Sequence, residues 1–202
     1  MKSSIALCSS LLLATSLAAK PDARSDAKAP APLANVVVLI IRHAEKPDSG
    51  VGLSPAGEER ARRYVDYFGN FSIGSKRVKV DCIFATADSN ASHRPRLTVQ
   101  PFSQAAGLAI DSRYKDKQVH ELATDVLTVP HGHCLLICWH HGEIPDVLHA
   151  LGAEPGQLVP KQKWPESVFG WVIQLRYDEN GKLAEAKRIN ENLMPDDTAK
   201  HE

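Results

Sequence analysis

A chain of 202 residues, 43% hydrophobic and 24% charged, carries enough apolar material for one sizeable core. Basic (Lys, Arg) and acidic (Asp, Glu) residues number 24 each, so no net field draws the chain to nucleic acid or to an anionic membrane surface. Any anion it binds must be held by a local cluster.

The amino terminus reads as an export signal: Lys2, an apolar segment from Ile5 to Leu17, then the small residues Ala18 and Ala19, after either of which cleavage would occur. The apolar run is shorter than the about 20 residues a membrane span requires. Cys8 follows the bulky Leu7, which argues against lipid attachment. A signal peptide is therefore expected over 1–19, a periplasmic or secreted location, and no membrane span after cleavage. Residues 20–34, rich in Ala, Pro and charge without apolar periodicity, are expected to be a disordered linker. The folded domain is expected over 35–195 and a tail over 196–202.

Val36 to Ile41, six consecutive aliphatic residues, predict a central strand buried on both faces. The run LSPAGEERARRYVDYF predicts a helix with Ser54 as N-cap and Pro55 at its first position. Ala61, Tyr64, Val65 and Phe68 form its apolar stripe, with Arg60, Arg62 and Arg63 on a solvated face. Val80 to Thr86 is the next strand, followed by a helix from Ser92 to Gly107 that Pro101 deprives of one backbone donor. Leu108 to Ile110 is a short strand, Asp116 to Leu127 a helix, His133 to Trp139 a third buried strand and Ile144 to Gly152 a short helix. Asn180-Gly181 then separates two strand-like runs as a hairpin turn. This order predicts an α/β fold with a mainly parallel sheet, helices on both faces and a C-terminal antiparallel hairpin. Within the domain, Cys134 and Cys138 would lie about 13 Å apart along one strand, too far to bridge. Free thiols are expected, with a bridge from Cys82 to one of them left open.

In such folds ligands bind beyond the carboxyl ends of the parallel strands. Arg42 and His43 leave the first strand there, Arg94 and Arg96 follow the second, and His140 and His141 end the third. Guanidinium forks match phosphate oxygens, and imidazole serves as nucleophile or donor near neutral pH, so this rim suits a compact dianion. A metal site built from His131, His133, Cys134, His140 and His141 is the competing reading. A strand would separate its two halves by about 20 Å, and the ligand spacings of zinc sites are missing.

The motifs also carry a resemblance. IIRHAEK resembles the Arg-His-Gly-Glu motif of the histidine phosphatase superfamily, with Ala44 in place of the glycine. LSPAGEERA, the Arg-x-x-x-Thr spacing from Arg94 to Thr98, and HHGEI follow in that family's order across residues 36–152. The resemblance implies a phosphoglycerate mutase-like fold and hydrolysis of a small phosphate ester through a phosphohistidine, with no metal or other cofactor. It makes His43 the nucleophile, Arg42 and Arg94 the phosphate clamp, and His141, which precedes Gly142, the donor to the transferring group. The proton-donating carboxyl would be Glu121, at a spacing after Arg94 like that of the mutase-like branch, or else Glu143. His140 is then expected to be structural, and Arg96 a surface or salt-bridged group or, in place of Arg94, the phosphate ligand. A phosphate-binding or scaffolding protein of the same fold without turnover is the alternative. Lys161, Lys163 and Trp164 are expected near the mouth, where Trp164 and Trp171 could instead cover the sheet edge.

Overall fold

In the computed structural model, which describes residues 31–197, the aliphatic run becomes strand β1 (Val37–Arg42), every residue of it buried. The expected signal peptide 1–19, linker residues 20–30 and tail residues 198–202 lie outside the described residues. Successive strand residues face opposite ways, so Val38 and Ile40 enter one core while Val37, Leu39 and Ile41 enter the other. That is why the run shows no polar alternation. Truncating Leu39 or Ile40, neither with any exposed surface, would cost about 2–5 kcal/mol.

Helix α1 (Pro55–Gly69) starts where expected, with Ser54 Oγ accepting from the Gly57 N–H at 3.2 Å. A small hairpin of β2 (Ser72–Ile73) and β3 (Lys76–Arg77), not foreseen in the sequence, precedes β4 (Cys82–Ala85). Helix α2 (Arg94–Ala106) runs through Pro101 and closes on left-handed Gly107. Then come β5 (Ile110–Asp111), α3 (Val119–Thr128), β6 (Cys134–Trp139), α4 (Ile144–Ala150) and the four-residue α5 (Pro155–Leu158). The hairpin of β7 (Trp171–Tyr177) and β8 (Leu183–Asn190) completes the order β5-β4-β6-β1-β7-β8. Strands β5, β4, β6 and β1 are mutually parallel, and β7 and β8 are antiparallel additions. Tyr64, Phe68, Val99 and Phe102 bring α1 and α2 onto one face. Leu122, Val126, Val147, Leu148 and Leu158 bring α3, α4 and α5 onto the other. The predicted α/β architecture is the observed one.

Three local expectations change. Leu33 is 4% exposed and belongs to the core, and the Asn35 N–H donates to Asp178 O at 2.8 Å, so packing begins before residue 35. At the other end Asp197 is 5% exposed, inside the expected tail. Arg60, expected in solvent, is 1% exposed because Glu45, Glu191 and Asp197 surround its guanidinium. Cys82, Cys134 and Cys138 are free. Cys82 packs on the α3–α4 side of the sheet and the other two on the α1–α2 side, which closes the bridge left open.

Candidate active site

Strands β1 and β6 pair with Arg42 opposite Trp139, and the His43 N–H continues the ladder to Trp139 O at 3.0 Å. The residues that follow these strands, His43 and His140, therefore meet: their ring centroids are 5.0 Å apart, edge to face. His43 is 2% exposed. Its Nδ1 lies 2.7 Å from Ala44 O, and because a carbonyl only accepts, Nδ1 carries the proton and Nε2 the lone pair. Burial first, then the charges of His140, Arg42 and Arg94, push its pKa down to about 3 against the opposing Ala44 bond. The ring is neutral at physiological pH.

The sequence motifs explain how this loop is held. The Ala44 N–H donates to Thr98 Oγ1 at 2.8 Å, and that hydroxyl donates to Arg94 O at 2.8 Å, so the Arg-x-x-x-Thr spacing is a bracket on α2 for the residue after the histidine. Ala44 is fully buried without left-handed backbone, which accommodates its methyl in the glycine's place. In LSPAG, a Cβ on Gly57 would lie 2.4 Å from Glu45 O, so only glycine lets α1 approach the loop this closely. The Ser54 N–H donates to that same carbonyl at 2.9 Å.

Arg42 is 1% exposed. Its Nη1 donates to the carbonyls of Pro165 (3.1 Å), Glu166 (2.6 Å) and Val168 (2.9 Å), and its guanidinium lies 3.8 Å from the centroid of the Phe169 ring. Burial lowers its pKa to about 10, still far above neutrality. Arg94 opens α2, donates to Gly50 O at 3.3 Å, and is close enough to His43 and His140 to oppose their protonation. The Nε atoms of Arg42 and Arg94 are both buried without a protein partner. Arg96 is held by Asp88 at 2.7 Å and by Gln100.

Two placements differ from the sequence reading. His140, not His141, packs on His43, and burial with the charge of Arg94 lowers its pKa to about 4. The His140 carbonyl accepts the N–H groups of Glu143 and Ile144, so the chain turns toward α4 at once and carries His141 to a neighbouring cleft of about 460 Å³. Gln162, Lys163, Pro165 and Glu166 also line that cleft, and the buried Nδ1 of His141 has no partner. Trp164 is 3% exposed, donates to Val168 O at 2.8 Å and packs on Trp171, so both tryptophans belong to the core.

The second difference concerns the carboxyl. Glu121 is exposed on α3, accepting from Gln118 at 3.3 Å, outside the buried cluster. Glu143 is ion-paired with Lys117. A third carboxyl, Asp116, close enough to Glu143 to feel its charge, carries no sequence signal that singles it out as a titratable group. Its carbonyl accepts the indole N–H of Trp139, the residue before His140, at 3.0 Å, and the Ala87 N–H bonds to nearby Tyr114 O at 2.7 Å. Those bonds fix the β5–α3 loop at the edge reached by His43 and His140. Asp116 Oδ1 is buried without a partner, and burial followed by the charge of Glu143 raises its pKa to about 6.

Among the described residues no group of three or more His, Cys, Asp or Glu could hold a metal ion. His131 and His133 precede β6, whereas His140 and His141 follow it. No helix of the described residues is long and apolar enough to cross a membrane.

No family model matches the chain, and no curated protein matches it. Among solved structures it overlaps a protein assigned as an alpha-ribazole-5'-P phosphatase from Escherichia coli, with TM-score 0.53 and 10% identity over 77% of this chain and 95% of that one. It also overlaps a protein assigned as the phosphohistidine phosphatase SixA from Agrobacterium tumefaciens, with TM-score 0.49 and 22% identity over 75% and 97%. By its strand order, its layers and the overlap with the Escherichia coli structure, the chain has the phosphoglycerate mutase-like α/β fold.

Proposed function

We propose that the protein is a phosphomonoesterase that works through a phosphohistidine at His43. The observation that carries this reading is the state of that side chain. Nδ1 is tied to Ala44 O, which leaves the Nε2 lone pair on a neutral ring, beside two arginines whose buried Nε groups lack partners. A phosphoryl group would satisfy those donors and meet the lone pair together. Attack by Nε2 on phosphorus forms the N–P bond as the ester P–O bond breaks, and the leaving oxygen takes the proton of Asp116. Water then gives a proton to the Asp116 carboxylate as its oxygen attacks the phosphohistidine, and cleavage of the N–P bond releases phosphate and restores both the imidazole and the acid.

In this reading Arg42, Arg94 and His140 stabilise charge on the equatorial oxygens, which is the larger part of catalysis in phosphoryl transfer. Asp116 replaces Glu121 as the acid. The cleft beside His141 receives the rest of a small phosphorylated substrate. The fold is shared with a protein assigned as a phosphatase, which agrees with the reading.

The test is rapid quench during turnover of p-nitrophenyl phosphate, then mass spectrometry under alkaline conditions. The adduct is expected on His43. Hydrolysis with the adduct on another residue overturns the assignment, and tight phosphate binding without hydrolysis of any ester identifies a phosphate-binding protein instead. The reading includes export: the apolar amino-terminal segment directs the chain out of the cytoplasm, and a mature product lacking residues 1–19 in the exported fraction is the expected result.

A further inference from the structure

The last described turn of the chain reaches the candidate site from behind. Asp197 accepts the N–H groups of Leu193 (3.0 Å) and Met194 (2.9 Å). Its carboxylate also takes both terminal nitrogens of Arg60, at 3.1 and 2.6 Å. Arg60 in turn forks onto Glu45 through Nε (3.0 and 3.1 Å) and Nη2 (2.7 Å), and Glu45 lies two residues after His43. On its other side Asp197 presses on Gly170, where a Cβ would come within 2.6 Å of the carboxyl carbon. Gly170 follows Phe169, whose ring lies under the Arg42 guanidinium and 6.4 Å from the His43 ring. A single carboxylate thus braces both the loop carrying the nucleophile and the segment orienting the phosphate clamp.

We infer that Asp197 is a positioning residue for His43 and Arg42, acting through Arg60–Glu45 on one side and Gly170–Phe169 on the other. The inference rests on the proposed function of those two residues. Stability alone accounts poorly for the arrangement. Three carboxylates, those of Glu45, Glu191 and Asp197, surround one buried guanidinium, and buried ion pairs of this kind are often no more stable than an apolar replacement. Beside them lies a cavity of about 160 Å³ bordered by Glu45, Arg60, Phe169 and Asp197. Both segments therefore have room to shift once the carboxylate stops holding them, and displacement on the order of 1 Å costs roughly 100-fold in rate.

The experiment uses the full chain with Asp197→Asn, and Asp196→Asn as the exposed neighbouring control. Three quantities are read well below the melting temperature: kcat for p-nitrophenyl phosphate, orthovanadate affinity by calorimetry, and the nitrogen resonances of the His43 ring. For Asp197→Asn, kcat should fall roughly 10- to 100-fold, vanadate should bind more weakly, and the His43 signals should shift or broaden. Asp196→Asn should leave all three unchanged. A lowered melting temperature with wild-type kcat, vanadate affinity and His43 signals overturns the inference, since that is what a purely structural brace gives. If Asp197→Asn does not fold, Gly170→Ala, which removes no charge but drives a methyl against the carboxylate, must show the same losses, and its failure to do so is equally decisive. Should the wild-type protein hydrolyse nothing, the phosphatase reading falls, while the His43 resonances of the variants still decide for or against positioning.

Discussion

His140 stands edge-on to His43, with ring planes 69° apart and centroids 5.0 Å apart, because each is the first residue beyond strands paired at Arg42 and Trp139. Strand register thereby brings together two imidazoles 97 positions apart in sequence. His140→Ala should lower kcat about 10²- to 10³-fold, the cost of removing one donor aimed at developing charge. His141→Asn, which borders the adjoining cleft, should chiefly raise KM. Steady-state kinetics with p-nitrophenyl phosphate check the ranking, and a larger kcat loss for His141→Asn would return the donor role to His141.

Asp116 should make hydrolysis of basic leaving groups sensitive to pH. A general acid acts in its protonated form, and its raised pKa of about 6 means that form is lost as pH rises through 6 in the free enzyme. A bound phosphate dianion opposes ionisation further and moves the limb upward in the complex. Alkyl phosphates should therefore lose kcat/KM above about pH 6, whereas p-nitrophenyl phosphate, whose leaving group scarcely needs a proton, should not. Asp116→Asn should slow alkyl esters by about 10²-fold or more and the nitrophenyl ester little. Glu121→Gln should leave both unchanged, and equal slowing of both esters by Asp116→Asn would remove it from the acid role.

The parts of this molecule legible in sequence are those where one local rule decides. The aliphatic run into Arg42 and His43, the Ser54-Pro55 helix start and the Asn180-Gly181 turn each carry a local signal, and each stands in the fold where that signal put it. That His140 is the imidazole packed on His43 depended on pairing between strands distant in sequence. Matching the ends of VVLIIR and CLLICW would have found it, since the histidine following each is then opposite the other. Asp116 was hidden because no periodicity marks a loop carboxyl, and its raised pKa comes from burial and from Glu143, supplied by another element. Arg60 looked solvated because i, i+4 spacing on α1 gives no sign of Asp197 arriving from the far end of the chain.

Arg94 and Arg96, two positions apart, should behave differently. Arg96 already spends its guanidinium on Asp88 and Gln100, whereas Arg94 keeps a buried Nε without a partner. Arg94→Ala should weaken orthovanadate binding by about 2–5 kcal/mol, the range for truncating one member of a desolvated charge pair. Arg96→Ala should change it little. Calorimetric titration of both variants settles the order, and the reverse ranking would mean that Arg96 leaves Asp88 to bind the anion.

The two depressed histidines also make a prediction about stability. In the unfolded chain a histidine takes up its proton near pH 6.5, but folded His43 resists until about 3 and folded His140 until about 4. Between those values the unfolded state binds more protons than the native one, so unfolding free energy rises with pH across the window. The stability is present above about 6.5 and drains away as the solution is acidified toward 4. For His43 the loss is on the order of a few kcal/mol. Carboxylates that are paired in the fold titrate in the same direction, so the informative quantity is the difference between proteins. His43→Asn offers a side-chain N–H for the bond to Ala44 O but cannot titrate. Its urea midpoint should fall less steeply than that of the wild type between pH 6.5 and 4. Saturating phosphate should flatten the wild-type curve as well, because a bound dianion favours the imidazolium form. Parallel slopes for the two proteins without phosphate would show that His43 protonates in the folded state near its ordinary pKa, and the neutral nucleophile at the centre of the proposed mechanism would have to be given up.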